Sequence, residues 1–226
     1  MQAYLGNWSG SLTFTIYGDN NLPTLSQAQT YINSVQGQYW FLNLIGSEET
    51  YGMIACSLAN GYHQFDSIGR PCWGAPNGFG LMQIDPPTGT SQPVRGVLWN
   101  WKTNIAAAIE ELNTKAVEGN PFWSRQLQQW QQWNADADRA NQPEKKVDVP
   151  VGPDTQIQAK CPFGLNLDGT VPAGSRSWAD AILIKMYNSA PHHYISWDDR
   201  DPLNQKWLFN QTNGNGFDYV HKVCTQ

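Results

Sequence analysis

The chain has 226 residues, 40% of them hydrophobic, with 14 Lys and Arg against 19 Asp and Glu for a formal net charge of −5. That length and apolar content support a real core in one large domain or two small ones, and the acidic balance gives no basic footprint for nucleic acid. No stretch approaches the roughly 18 apolar residues that would span a bilayer, so membrane insertion is not expected.

Residues 1–22 alternate through Leu12, Phe14 and Ile16, which point one way before the turn Gly18-Asp19-Asn20-Asn21. A short strand or extended arm is expected over 1–23, with the main domain over 24–226. The start MQAYLGNWSGSLTFTIYG lacks a basic stretch followed by an apolar run and does not read as a secretory signal peptide. From Thr24 apolar residues recur at helical spacing, bringing Leu42, Ile45 and, one turn further, Glu49 within reach of a common face where a buried helix ends. Residues 61–80, rich in Gly, Pro, Asn and Ser, predict a loop.

A helix follows over 100–119, with Ile105, Ile109 and Leu112 aligned and Gly119 marking its end. A separate helix over 121–141 begins on Pro121, suited to a first turn, and carries Trp123, Leu127 and Trp130 on one stripe. Turn formers then dominate to Arg176, so an irregular surface insertion is expected over about 134–176, with room for a small hairpin. Ser177 caps a last helix that closes near Pro191, and the tail from His192 to Gln226 is polar and aromatic without a clear period.

The cysteines Cys56, Cys72, Cys161 and Cys224 lack Cys-x-x-Cys spacing and stand far from the histidines, which argues against a zinc cluster. Two disulfides or four buried thiols remain, and Cys56 with Cys72 and Cys161 with Cys224 is the simplest pairing. The adjacent His192 and His193 point in different directions with no acidic or Cys spacing to complete a site, so no metal and no cofactor are expected. Eleven tryptophans suit either sugar-ring faces or the core, and the group Trp99, Trp101, Trp130 and Trp133 fits both readings.

Four pieces carry chemistry, in chain order. LIGSEETYG ends an apolar helix in Glu49-Thr50, with Ile45 one turn before the acid; GFGLMQIDPP sets Leu-Met-Gln-Ile behind two glycines and ahead of two prolines; TNIAAAIEEL and MYNSAPHHYISW follow on later helices. Together they resemble the lytic transglycosylase and goose-type lysozyme superfamily, with its helix ending in Glu-Ser, its Gly-Leu-Met-Gln-Ile loop, its Asn-Ile helix and its Tyr-Asn-Ala-Gly-Pro segment. The resemblance covers residues 42–112 and 182–197. It departs from the pattern in the 34 residues from Glu49 to Gln83, a gap long enough to hold an insertion with Cys72, in Thr50 for serine, and in Ser189-Ala190 for Ala-Gly.

The resemblance implies a mainly α, lysozyme-like domain with a helical lobe on each side of a glycan cleft, acting on peptidoglycan glycan strands. Cleaving the β-1,4 bond between N-acetylmuramic acid and N-acetylglucosamine needs a carboxylic acid that keeps its proton at neutral pH, which apolar surroundings provide by penalising the charged form. Glu49, among Leu42, Leu44 and Ile45 and facing Met82 and Tyr187, is the implied acid. Glu48 lies about 100° away around the helix and cannot share that site. Of the implied substrate-binding residues, Thr50 keeps the serine's hydroxyl, Gly80 with Gly78 lets backbone approach the glycan, Met82 packs beside the acid, and Gln83 offers an amide to the acetamido groups. Tyr187 places its hydroxyl near Glu49 or the N-acetyl group, Asn188 fixes the loop by backbone hydrogen bonds, and Asn104 holds a helix in place.

Glycosidases normally use a second carboxylate. The resemblance implies an exception, in which the substrate's N-acetyl group assists and the muramyl 6-hydroxyl replaces water, leaving a 1,6-anhydro sugar. If Asp66 or Asp85 holds a water, the enzyme is instead a hydrolytic muramidase. A non-catalytic glycan-binding component of a phage or secretion particle is the alternative from another class. The implied workplace is the periplasm or cell wall, reached by phage lysis, through a secretion system or after removal of a leader, and injection implies an immunity protein that plugs the cleft.

Overall fold

The computed structural model describes residues 2–5, 8–11, 23–50, 64–66, 69–75, 77–88, 90, 93–188, 193–210 and 218–225, and the fold is mainly helical. At the N-terminus β1 (Gln2–Leu5) and β2 (Trp8–Ser11) pair antiparallel, with Leu5 opposite Trp8. The strand expected through Leu12, Phe14 and Ile16 lies outside the described residues.

Helix α1 (Leu25–Val35) starts on a reciprocal cap: the Gln27 amide N–H donates to Thr24 Oγ1 at 3.2 Å, and the Thr24 N–H donates to Gln27 Oε1 at 2.9 Å. Ala28 and Ile32, one turn apart, are its buried face. Gly37 takes a left-handed φ of 55°, which ends that helix and splits the apolar run into two, with α2 (Leu42–Thr50) following. Leu42 and Ile45 are fully buried on the inner side of α2.

Strands β3 (Trp73–Gly74) and β4 (Gly78–Phe79) form a minimal hairpin inside the expected loop. Helix α3 (Arg95–Trp99) then breaks at Asn100, whose extended backbone and Oδ1, accepting from the Lys102 and Thr103 N–H groups, cap helix α4.

The two helices expected over 100–119 and 121–141 are one helix, α4 (Trp101–Arg139), 39 residues long. Gly119 does not end it. A Cβ there would stand 2.9 Å from Leu183 Cδ2 and 3.1 Å from Met186 Sδ, so the glycine serves close packing against the helix beneath rather than a turn. Pro121 sits on the exposed side, where the carbonyl its ring leaves without an N–H can bind water. Replacing Gly119 by Leu should therefore destabilise the fold by about 2 kcal/mol through overpacking. Gly119→Ala should stay within about 1 kcal/mol, since the helix gains roughly that from losing a glycine while the flexible ends of Leu183 and Met186 yield; urea unfolding midpoints check both.

The expected stripe of α4 faces inward, with Trp123 and Trp130 buried and Leu127 partly so. Trp101 joins them in the core, whereas Trp99 stays exposed on Phe65 and Trp133 ties its indole to Lys145 O at 2.7 Å.

The segment after α4 is not a loose surface excursion. Residues 134–139 finish α4, and the chain folds back along it through Trp130 Nε1–H to Val147 O at 2.8 Å and a two-way amide pairing of Asn134 with Val147. Helix α5 (Thr155–Lys160) follows, and Ile157, Phe163 and Leu165 enter the core, with Phe163 stacked on Trp178 at 5.2 Å between centroids. Cys161 is disulfide-bonded to Cys224, as the simplest pairing expects; Cys72 is also disulfide-bonded, and Cys56 lies outside the described residues. No periodicity announces these anchors, because they reach partners far away in sequence.

Helix α6 (Trp178–Asn188) is capped by Ser177 Oγ, which accepts from the Ala179 N–H, and is buried on almost every side from Ala181 to Tyr187. It lies against α4 and is the centre of the fold. The tail, unreadable by period, forms β5 (Ile195–Asp198) and β6 (Lys206–Phe209), an antiparallel hairpin with Trp197 opposite Trp207, and then α7 (Tyr219–Thr225). Its aromatics pack on Trp123, Trp130 and Trp178. His193 stacks on Phe122 at 3.6 Å, and among the described residues no group of three or more His, Cys, Asp or Glu is arranged to hold a metal. No described helix is long and apolar enough to cross a membrane.

Candidate active site

Two buried amides build the loop from Gly78 to Ile84. Gln64 Oε1 accepts from the Leu81 N–H at 3.0 Å, while its Nε2 donates to Leu98 O at 2.7 Å and Val97 O at 3.2 Å. Asn104, on the first turn of α4, accepts from the Met82 N–H at 2.7 Å and donates to Phe79 O at 3.0 Å and Val97 O at 3.2 Å. Both amides are almost wholly out of water, so every bond holds a group that would otherwise be costly to bury. Asn104 therefore holds the loop as well as its helix.

These amides also explain the glycines. Gly80 has a φ of 76°, and a Cβ on it would come within 2.5 Å of Asn104 Nδ2 and 2.6 Å of Gln64 Nε2. A Cβ at Gly78 would come within 2.7 Å of Gln83 Oε1. The close approach that excludes larger residues is made by the chain's own side chains, where the sequence suggested a glycan.

Gln83 is unusual on two counts. It is a non-glycine residue in the left-handed region, with φ 48°, and its Oε1 is buried without a hydrogen-bond partner while Nε2 donates to Gly80 O at 2.6 Å. Both conditions disfavour the resting state, and such residues gather at functional sites. Met82 is fully buried, and its carbonyl accepts from the Tyr187 hydroxyl at 2.7 Å.

Glu49 stands at the end of α2, half-buried, with its Oε1 accepting from the hydroxyl of Tyr219. Burial pushes its carboxyl up to about 8 from an ordinary 4.5; the Tyr219 bond pulls the other way, and Glu48, Glu111 and Asp85 add to the rise. Glu111, on α4, is itself raised by burial despite Lys115 Nζ at 3.6 Å. Burial first, and then these carboxyls, hold Tyr187 and Tyr219 well above the usual phenol range, so both remain donors.

The structure thus brings Glu49, Tyr187 and Met82 into one neighbourhood, with Gln83 next to Met82 in the chain, but the tyrosine on the acid is not the expected one. Tyr187 holds the loop, and Tyr219 meets the acid. Thr50 is fully buried, with its hydroxyl turned back to Gly46 O at 3.4 Å, and Asn188 is exposed at the end of α6. Asp66 is taken up by Arg70, whose Nε lies 2.8 Å from Oδ2, while Asp85 is exposed.

Sequence reasoning passed over Gln64, Glu111 and Tyr219. Glu111 had a signal, since it lies seven residues from Asn104, two helical turns along the same face. Tyr219 had none beyond Cys224 five residues on. Comparison of the chain with protein-family models, with curated proteins and with solved structures returned no match.

Proposed function

We propose that this chain cleaves peptidoglycan, with Glu49 protonating the leaving oxygen of the β-1,4 bond between N-acetylmuramic acid and N-acetylglucosamine. The observation that carries the reading is a carboxyl kept neutral at physiological pH by burial, beside a strained loop whose Gln83 oxygen lacks a donor. Tyr219 occupies Oε1, which leaves Oε2 to carry the proton toward a substrate. Gln83 Oε1 suits an acetamido N–H, the donor such a sugar carries at every residue.

In this reading the helices form two lysozyme-like lobes around a glycan groove. Glu49 first gives its proton to the departing sugar while the substrate's N-acetyl group assists at the anomeric carbon. The carboxylate then accepts the proton of the muramyl 6-hydroxyl as that oxygen closes a 1,6-anhydro ring. One residue serves as acid and then as base. The substrate places the action at the cell wall or in the periplasm.

Glu111 and Asp85, both near enough to raise Glu49, favour a second reading, a hydrolytic muramidase in which one of them activates water. Digestion of purified sacculi followed by product masses separates the two. Anhydro products, lighter by one water, are expected, with the rate falling on the alkaline side as Glu49 ionises near pH 8. Hydrated products alone would replace the first mechanism by the second, and intact sacculi would refute both and leave a glycan-binding component.

A further inference from the structure

Helix α7 is seven residues long, too short to persist without tertiary support. It rests on α2, α5 and α6, buries Val220 and Val223, and is fastened to α5 at both ends of that helix. His221 Nδ1 pairs with Asp154, the cap of α5, and Cys224 is bonded to Cys161, which ends it. Tyr219 opens α7, is almost wholly buried, and aims its hydroxyl at Glu49, 170 residues away in sequence.

We propose that Tyr219 is a positioning residue for Glu49 and that the Cys161–Cys224 bond keeps it in place, so that the acid is set only in the oxidised chain. The inference rests on the function proposed above. A hydroxyl on Oε1 fixes the plane of the carboxyl and reserves Oε2 for the proton that is transferred; without it the two oxygens compete for that proton and the side chain turns. The bond closes a loop over a sequence separation of 63, and cross-links of that kind act by removing the open conformations of the chain.

A thiol reductant opens it by delivering two electrons and two protons, leaving thiols at Cys161 and Cys224 and departing as its own disulfide. Helix α7 is then held only by non-covalent contacts, among them buried Tyr219, Val220 and Val223 and the His221–Asp154 pair. A chain made in a reducing compartment is thereby held inactive until it reaches an oxidising one.

Among the described residues, the ionisable groups around Glu49 are Glu48 on α2, Glu111 with Lys115 on α4, Asp85 beyond β4, Tyr187 on α6 and Tyr219 on α7. On α7, Lys222 is paired with Asp218 at 3.2 Å, and α1 carries no charged side chain.

Tyr219→Phe removes the hydroxyl and leaves the ring. Because that hydroxyl favours the carboxylate, its loss should move the alkaline limb of the pH–rate profile up by about half a unit to one unit, lower kcat about tenfold and change KM by less than about twofold. Cys161→Ala with Cys224→Ala should give the same shift, and adding Tyr219→Phe to that pair should give no more. An unmoved profile in either variant overturns the proposal.

If the cysteine pair prevents folding, amide exchange of α7 in the wild type replaces it, measured before and after thiol treatment with the opened bond confirmed by mass mapping. Unchanged protection would then count against the clamp. A carboxyl-carbon NMR titration of Glu49 needs no substrate. If it shifts in Tyr219→Phe while the wild type cleaves no glycan, the positioning stands and the function falls; if it stays put while the wild type clears sacculi, the reverse holds.

Discussion

Glu49→Gln is expected to abolish clearing of purified cell walls, lowering the rate by on the order of 10³-fold, while the fold is retained. Glutamine keeps an oxygen for the Tyr219 hydroxyl and nearly the same volume, but it has no proton to give. Activity within tenfold of the wild type would refute Glu49 as the acid.

The same variant reports on the site without any substrate. Glu49 titrates near 8 in the folded chain against an ordinary 4.5, so the folded state binds the proton more tightly and burial penalises the ionised form. Below pH 4.5 both states are protonated, and the two proteins should unfold alike. As pH rises from 4.5 through 8 the wild type loses stability relative to Glu49→Gln, and above 8 the gap levels at about 2 kcal/mol, several degrees in Tm. Partial exposure of the side chain keeps the gap below what the full shift would give. Thermal unfolding from pH 4 to 9 measures it, and parallel curves would mean that water reaches the carboxyl freely.

Asn104→Ala should have the next largest effect, on stability and activity together. Of the groups that Asn104 holds, Val97 O keeps Gln64 and Phe79 O keeps the Ile84 N–H, but the Met82 N–H loses its described partner. A stranded buried amide plus the cavity left by the side chain should destabilise the fold by about 3 kcal/mol. Because Met82 O anchors Tyr187, the loop beside Glu49 should loosen, and wall clearing should fall about tenfold or more even at temperatures where the variant is folded. A urea midpoint shift equivalent to less than about 1 kcal/mol would remove Asn104 from its place as the loop's support.

Local patterns were legible where local physics decides. The 3.6-residue period marked helix through α1 and α2 and through both halves of α4, Ser177 announced the cap of α6, and the inward stripe of Trp123, Leu127 and Trp130 followed from spacing alone. Glu49 was singled out by the resemblance of the motifs around it, since an apolar face through Leu42 and Ile45 would by itself fit a solvated glutamate at a helix end equally well. The even cysteine count left three pairings open, and the simplest of them contains the Cys161–Cys224 bond.

Errors arose wherever one residue type answers to two physical needs. Glycine at 119 serves a helix crossing as readily as a helix end, and only the nearness of Leu183 and Met186 distinguishes them. Gly78 and Gly80 admit Gln83, Gln64 and Asn104, a need the sequence did not reveal, because a missing Cβ does not say what fills its space. Residues 140–176, 193–210 and 218–225 carry no period, since their order comes from a disulfide, indole bonds to backbone and aromatic stacking across the core.

Chain-local chemistry, then, specified the helices and set Glu49 at the end of α2. Which tyrosine touches that acid was a matter of packing: Tyr187 lies in a readable motif yet turns to Met82, and Tyr219 lies in a stretch without pattern yet meets Glu49. A hydrogen bond between residues 170 apart depends on how α7 is fastened against α2 and α5, and contacts of that range leave no period in the residues that make them.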